Sequence, residues 1–325
     1  MDALSLAAAN LTSPAFLFFA LGVAAGLARS DLEIPQAVAK GLALYLMLAI
    51  GFKGGVEVSR VGLTPDLLLA AGAGVLLSFA MPLIAYGLLR AFTRLDQVTA
   101  AAAAAHYGSI SVVTFVAGSE FLTASGLVYS GHMIAVLALM ETPAILTGLL
   151  LAGRGAQQTD ARERGELLRE VALNGSVVLL IGAFAIGWIS GEPGMEKLHP
   201  FVEELFQGVL VLFLLDMGLV AARRMGGARR LGLPGVIFGV VMPPLGAACA
   251  LVIALAISMS AADAAALMIL GASASYIAVP AAMRIALPKA DPSVYLTLSL
   301  AITFPFNLAV GIPLYAFLAR SVIGG

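Results

Sequence analysis

Ala100-Ala101-Ala102-Ala103-Ala104-Ala105-His106-Tyr107-Gly108-Ser109-Ile110-Ser111 begins as six helix-favouring alanines and then meets a glycine and two serines. Apolar sequence resumes at once with Val112-Val113-Thr114-Phe115. Such an interruption inside an apolar run predicts a helix broken in its middle, because glycine relaxes the backbone and serine oxygens cap the amides freed at the break. Gly271-Ala272-Ser273-Ala274-Ser275-Tyr276, followed by Pro280, has the same make-up. The alternative is a pair of continuous helices in which Ser109, Ser111, Ser273 and Ser275 bond carbonyls of the preceding turn.

The two stretches belong to a longer correspondence. At an offset of 161 to 164 residues, Gly108-Ser109-Ile110-Ser111 aligns with Ala272-Ser273-Ala274-Ser275, and Met81-Pro82 aligns with Met242-Pro243. Pro143, after Glu141-Thr142, answers to Pro305, after Thr303-Phe304. Phe19-Ala20-Leu21-Gly22 through Gly26 matches the stretch from Gly182 to Gly187 in its glycine and alanine spacing. Four matches in one order point to an internal duplication.

Around these stretches the chain is a membrane sequence. Of its 325 residues, 61% are hydrophobic and 11% charged, with a mean hydropathy of +1.01; soluble domains carry roughly a quarter charged residues. This argues against a soluble enzyme, a nucleic-acid binder and a disulfide-built secreted domain. Cys249 is the one cysteine, so no internal disulfide can form, and it reads as a small apolar filler. At about 20 apolar residues per span, spans fall near residues 12–29, 36–52, 66–92, 96–123, 128–153, 170–189, 200–222, 233–258, 262–286 and 293–320. The predicted fold is therefore an all-α polytopic membrane protein of ten helices. Residues 154–169 hold Gln157, Gln158, Asp160, Arg162, Glu163, Arg164 and Glu166 and are too polar for lipid, so they form a cytoplasmic linker between units 1–153 and 170–325.

With the N-terminus outside, fourteen of the 18 Lys and Arg residues fall on the cytoplasmic side. Lys53, Arg60, Lys197 and Arg320 are the four outside. This bias places both termini on the outer side of a bacterial inner membrane. No Lys or Arg precedes Arg29, so the basic region of a cleaved signal peptide is missing and the first apolar stretch is expected to stay as a helix.

Five spans per unit is an odd number, so the second unit enters from the opposite face. The repeat is then inverted, a recurrent architecture of secondary transporters with a site near the midplane. The second half-helices of spans four and nine start near the centre from opposite sides. Their positive dipole ends converge on a point where a small anion can bind without a buried Lys or Arg. The candidate substrate-binding residues are Tyr107, Gly108, Ser109, Ile110, Ser111, Ser273, Ala274, Ser275 and Tyr276. Ser111, Thr114 and Ser275 offer oxygens to a sodium ion, and Glu141 and Asp216 are candidate coupling carboxylates.

The other intramembrane polar groups admit plainer roles. His106 can relay protons or, as a neutral ring, bond a backbone carbonyl. Asn307 is expected to satisfy carbonyls opened by Pro305, and Asp216, two turns before Arg223, can snorkel to the interface. Enzyme signatures are missing: no His-Glu-x-x-His run, three scattered histidines, no paired intramembrane aspartates and no P-loop. Transport driven by gradients rather than by ATP remains, set against a non-transporting sensor whose Arg223, Arg224, Arg229 and Arg230 contact a soluble partner. Those arginines also fit a role as topology determinants.

Leu32-Glu33-Ile34-Pro35 leading to Ile50-Gly51-Phe52-Lys53-Gly54-Gly55, then Gly108-Ser109-Ile110-Ser111 with Thr114, and Glu141-Thr142-Pro143, resemble the sodium-dependent bicarbonate transporter family. The closing Pro288-Lys289-Ala290-Asp291-Pro292-Ser293-Val294-Tyr295 extends the resemblance over nearly the whole chain. It implies two inverted five-helix repeats, a core and a gate domain, a homotrimer, and import of bicarbonate by symport with sodium as coupling ion. It also implies a site where two broken helices cross and a PII-like cytoplasmic regulator. Tyr276 stands at the apparent position of an aspartate in cyanobacterial members, Ala278 stands at that of a later serine, and the linker is shorter. Those differences keep open a proton-coupled or sodium-independent carrier of another small anion or organic acid.

Overall fold

The computed structural model describes residues 3–62, 64–153, 175–276 and 278–324, so the expected linker at 154–169 lies outside the described residues. Among the described residues all regular structure is helical. The elements are α1 (Ala3–Leu11), α2 (Pro14–Leu27), α3 (Gln36–Val61), α4 (Pro65–Phe92), α5 (Gln97–Gly108), α6 (Val112–Ala124), α7 (His132–Leu139) and α8 (Glu141–Ala152). They continue with α9 (Gly175–His199), α10 (Phe206–Arg224), α11 (Ala228–Ala256), α12 (Ala261–Ala272), α13 (Ala278–Ala286) and α14 (Pro292–Ile323). Among the described residues seven helical runs are long and apolar enough to cross a membrane, or eight if α1 and α2, bent by 57°, count as one span.

One of those runs, residues 178–227, is 50 residues long. At 1.5 Å per residue it would extend about 75 Å if straight, more than twice a hydrocarbon core of about 30 Å. It turns back instead. Gly191 takes φ 51° and ψ −147°, a backbone state open to glycine. Beyond it the chain returns along α3, from Arg60, which pairs with Glu192, to Tyr45, which donates to the Phe201 carbonyl.

Several boundaries differ from expectation for identifiable reasons. Helix α3 runs to Val61 rather than stopping at 52, because Lys53, Glu57 and Arg60 line a cleft instead of facing lipid. The sixth span continues to His199 across Gly191, and the seventh starts at Phe206 after a π turn at Pro200–Glu204. The fifth is divided at Met140, where Pro143 withholds the amide that would bond the Leu139 carbonyl. Helix α1, which the sequence does not announce, supplies Asn10, whose side-chain amide donates to the Leu308 carbonyl at 2.7 Å inside a π turn of α14.

Packing follows a pattern of exchange between the halves. Helix α3 lies along α9, and α2 lies along α10. Helix α4 packs on α5 as α11 packs on α12, and α5 packs on α8 as α12 packs on the end of α14. The broken span Gln97–Ala124 is 100% buried over its apolar window, whereas α4 and α11 are each 39% buried and keep an apolar face outward. Ala100 to Ala105 are fully buried, and their small side chains let the backbone of α8 come close at Gly148.

Caps fix where the two central helices start. The Asp96 carboxylate accepts from the Thr99 amide at 2.9 Å, and the Ser260 hydroxyl accepts from the Asp263 amide at 3.1 Å. Burial opposes the charge on Asp96, yet hydrogen bonds from Thr99 and Val98 outweigh it and hold the carboxyl below its ordinary value. The Asp96 cap is therefore fully formed above the ordinary carboxylate value and is lost as pH falls through the lower folded one.

Each cap is also clasped by a loop. Thr99 Oγ1 accepts from the Asp291 amide at 3.2 Å, and Asp263 accepts from the amide and hydroxyl of Ser130 at 2.7 and 3.0 Å. Replacing Asp263 by Ala strands the Ser130 amide and both serine hydroxyls. A loss of about 1–3 kcal/mol is expected, read as a lower unfolding temperature in detergent; an unchanged midpoint would show the clasp to be idle.

Candidate functional site

The breaks at residues 109–111 and 273–276 bond each other. Because α5 ends at Gly108, the His106 carbonyl has no intrahelical donor, and the Ser275 amide takes it at 2.8 Å. His106 Nδ1 returns the bond to the Ser275 carbonyl at 2.5 Å. The Ser111 amide donates to Ser273 Oγ at 3.0 Å, and Ser273 Oγ donates to the Leu270 carbonyl at 2.9 Å. Ser273 thus bonds the preceding turn, as continuous helices would require, and bridges the two breaks as well. The second half-helices open there: Ser111 Oγ caps α6 by accepting from the Thr114 amide at 3.1 Å, and Ser275 Oγ accepts from Val279 at the start of α13 at 3.5 Å.

A polar chain supports the crossing from behind. Tyr107 and Thr303 hydroxyls are 2.8 Å apart, and Thr303 Oγ1 donates to the Gly239 carbonyl at 2.8 Å. Since the Thr303 proton is committed to that carbonyl, the Tyr107 hydroxyl is the donor in the first bond. Asn307 departs from expectation. Its amide donates to the Ala272 carbonyl at 2.8 Å rather than to carbonyls opened by Pro305, because Ala272 ends α12 and lacks an intrahelical donor. Tyr315 holds the other side of Asn307 by donating to Oδ1 at 3.0 Å. The pairing of Asn307 with a break could be sensed in sequence from its place after the Thr303-Phe304-Pro305 repeat mate, but its target could not.

Every residue named for the substrate site is buried at this crossing: Tyr107, Gly108, Ser109, Ile110, Ser111, Ser273, Ala274, Ser275 and Tyr276. Their roles divide. The side chains of Tyr107, Ser111, Ser273 and Ser275 are engaged in the hydrogen bonds above, whereas Ser109 Oγ makes none and the Tyr276 hydroxyl, near Ser111, forms no well-aligned one. Thr114 is buried in the first turn of α6. Glu141 is buried at the start of α8 against α5, and Asp216 is buried on α10, which packs on α2 and α3. Neither carboxylate takes part in the hydrogen bonds of the crossing among the described residues.

A separate cleft of about 520 Å³ lies between α3, α6, α7 and the start of α10, and no residue of the crossing lines it. Lys53, Glu57, Arg60, Glu120 and Glu203 line it. Lys53 sits 3.3 Å from Glu203 and over the Phe206 ring at 4.5 Å. A small ion meets both signs of charge on this wall.

Two broken helices thus bond each other at their interruptions, with buried polar atoms beside them left unpaired. A family model for the Na+-dependent bicarbonate transporter superfamily matches residues 14–320. The chain belongs to that superfamily. Membership makes it a multi-pass membrane transporter rather than an enzyme, and bicarbonate and sodium are the ions the family implies. A comparison with curated proteins gives no match.

Proposed function

We propose that the chain is a sodium-coupled bicarbonate symporter, an importer of the bacterial inner membrane built as ten spans in two inverted five-helix repeats with both termini outside. The exchange pattern of the packing supports the architecture, since α3 on α9 and α2 on α10 are the pairs that swap when the halves are interchanged. The fourteen-to-four partition of Lys and Arg supports the orientation. The observation that supports the function is the crossing itself: α6 and α13 both open there, and the buried Ser109 hydroxyl beside them has no partner, donors of the kind a small anion takes. Ser111, Thr114 and Ser275 would lend oxygens to sodium, whose hard-cation chemistry favours such ligands. Glu141 and Asp216 stand second as coupling groups. On the same reading the assembly is a homotrimer, with a PII-like protein as regulator at the cytoplasmic face.

The test is uptake of labelled bicarbonate into proteoliposomes. An inward sodium gradient is expected to drive accumulation, and replacing external sodium by choline is expected to remove it. Uptake that ignores sodium and follows a pH gradient would select the proton-coupled carrier instead. Failure to move any small anion under either gradient would sink the proposal.

A further inference from the structure

Among the described residues four buried side-chain polar atoms have no well-formed hydrogen bond, and three of them are at or next to the two breaks: His106 Nε2 in the last turn of α5, Ser109 Oγ and the Tyr276 hydroxyl. Native interiors rarely leave such atoms unpaired, and a cluster of them marks a place that something else completes. Their chemistry is not uniform. Ser109 and Tyr276 can each donate a proton, as an anion requires. His106 offers the opposite.

The tautomer of His106 follows from its partner. A backbone carbonyl only accepts, so Nδ1, bonded to the Ser275 carbonyl, carries the ring proton. The ring is fully buried and stacked on Tyr295, with centroids 4.7 Å apart and planes at 28°. Neutral and protonated on Nδ1, it presents a bare lone pair at Nε2. Ser109, the cap residue that ends α5, stands three residues beyond His106, so an unpaired acceptor and an unpaired donor both lie at the end of this half-helix.

We infer that His106 is the residue that selects a protonated oxyanion, its Nε2 accepting the single O–H of a hydrogencarbonate-like substrate while Ser109, Tyr276 and the break amides hold the charged oxygens. This inference rests on the symport reading above for the site but not for the flux. Anions with no proton to donate, such as nitrate or chloride, turn an oxygen or halide lone pair toward Nε2 and are disfavoured. The bond to Ser275 ties this acceptor to both broken helices, so its position depends on the crossing being formed.

Two measurements test it. His106→Asn keeps a donor at the position of Nδ1, and with it the bond to Ser275, but has no atom at Nε2. Half-saturation by bicarbonate is expected to rise roughly tenfold while inhibition by nitrate strengthens; an unchanged ratio of the two would overturn the assignment. Independently, nitrogen NMR of histidine-labelled wild-type protein in bilayers can follow His106, assigned by replacing His132 and His199. Saturating bicarbonate is expected to shift Nε2 as a newly hydrogen-bonded acceptor, and nitrate is not. A proton found on Nε2 in the free protein, or an Nε2 signal unmoved by bicarbonate, would overturn the inference even where uptake proceeds. A shift without any uptake would instead retain the inference and remove the transport reading.

Discussion

Gly108→Val is expected to abolish transport while the chain still inserts and purifies as a folded species. A Cβ at Gly108 would overlap the ring of Pro82 and stand 2.7 Å from the Ser78 carbonyl, so the two larger branches of valine have no room without moving α5 off α4. Overpacking of this kind costs about 1–3 kcal/mol, sometimes more, and here the cost falls at the end of the half-helix that presents His106 and Ser109. Ser109→Ala is the contrast. It removes one unpaired hydroxyl and should cost about 0.5–1.5 kcal/mol of binding, a several-fold rise in half-saturation with the maximum rate retained. Uptake and size-exclusion profiles of both variants decide the matter: equal effects of lost bulk space and lost polarity would show that the backbone approach does not shape the site.

The breaks were legible because local sequence causes them. Glycine and serine in an alanine run leave their mark within a few residues, and both predicted interruptions are found, with Ser111 and Ser275 as caps. The partners across the crossing were not legible. His106 and Ser275 are 169 residues apart, and Ser111 and Ser273 are 162 apart, so their bonds depend on how the halves dock. The same holds for Asn307, whose target is set by where α12 ends rather than by its own proline. Helix α1 was missed because nine residues, Ala3–Leu11, are too few to read as a span. Charge misled at α3: Lys53, Glu57 and Arg60 look like the end of a membrane helix, yet the helix continues because a polar cleft solvates them.

Glycine spacing held one further signal, and it carries the second large prediction. Gly51 and Gly55 on α3, and Gly22 and Gly26 on α2, are each four residues apart, the pattern that lets membrane helices touch through their backbones. Along α3 a Cβ at Gly55 would collide with the Phe184 carbonyl of α9 and lie 2.7 Å from the Trp188 amide nitrogen; at Gly51 it would lie 2.6 Å from the Leu180 carbonyl. Along α2 a Cβ at Gly22 would collide with the Leu215 carbonyl of α10. In both cases the obstacle is backbone, which cannot rotate aside as a side chain can. Gly55→Val and Gly22→Val are therefore expected to separate their helix pairs and prevent recovery of a monodisperse protein. Gly72→Val and Gly87→Val on α4, where a Cβ meets nothing within 4 Å, are expected to behave as wild type. All four exchanges place the same side chain in a helix, so intrinsic propensity cancels and only the close approach differs. Should Gly55→Val remain as stable in detergent and as active as Gly87→Val, the α3–α9 contact would not hold these helices together. A loss at Gly55 without one at Gly22 would mean that the two pairs, alike in geometry, are unlike in energy, and the exchange of halves that supports the inverted repeat would lose its energetic counterpart.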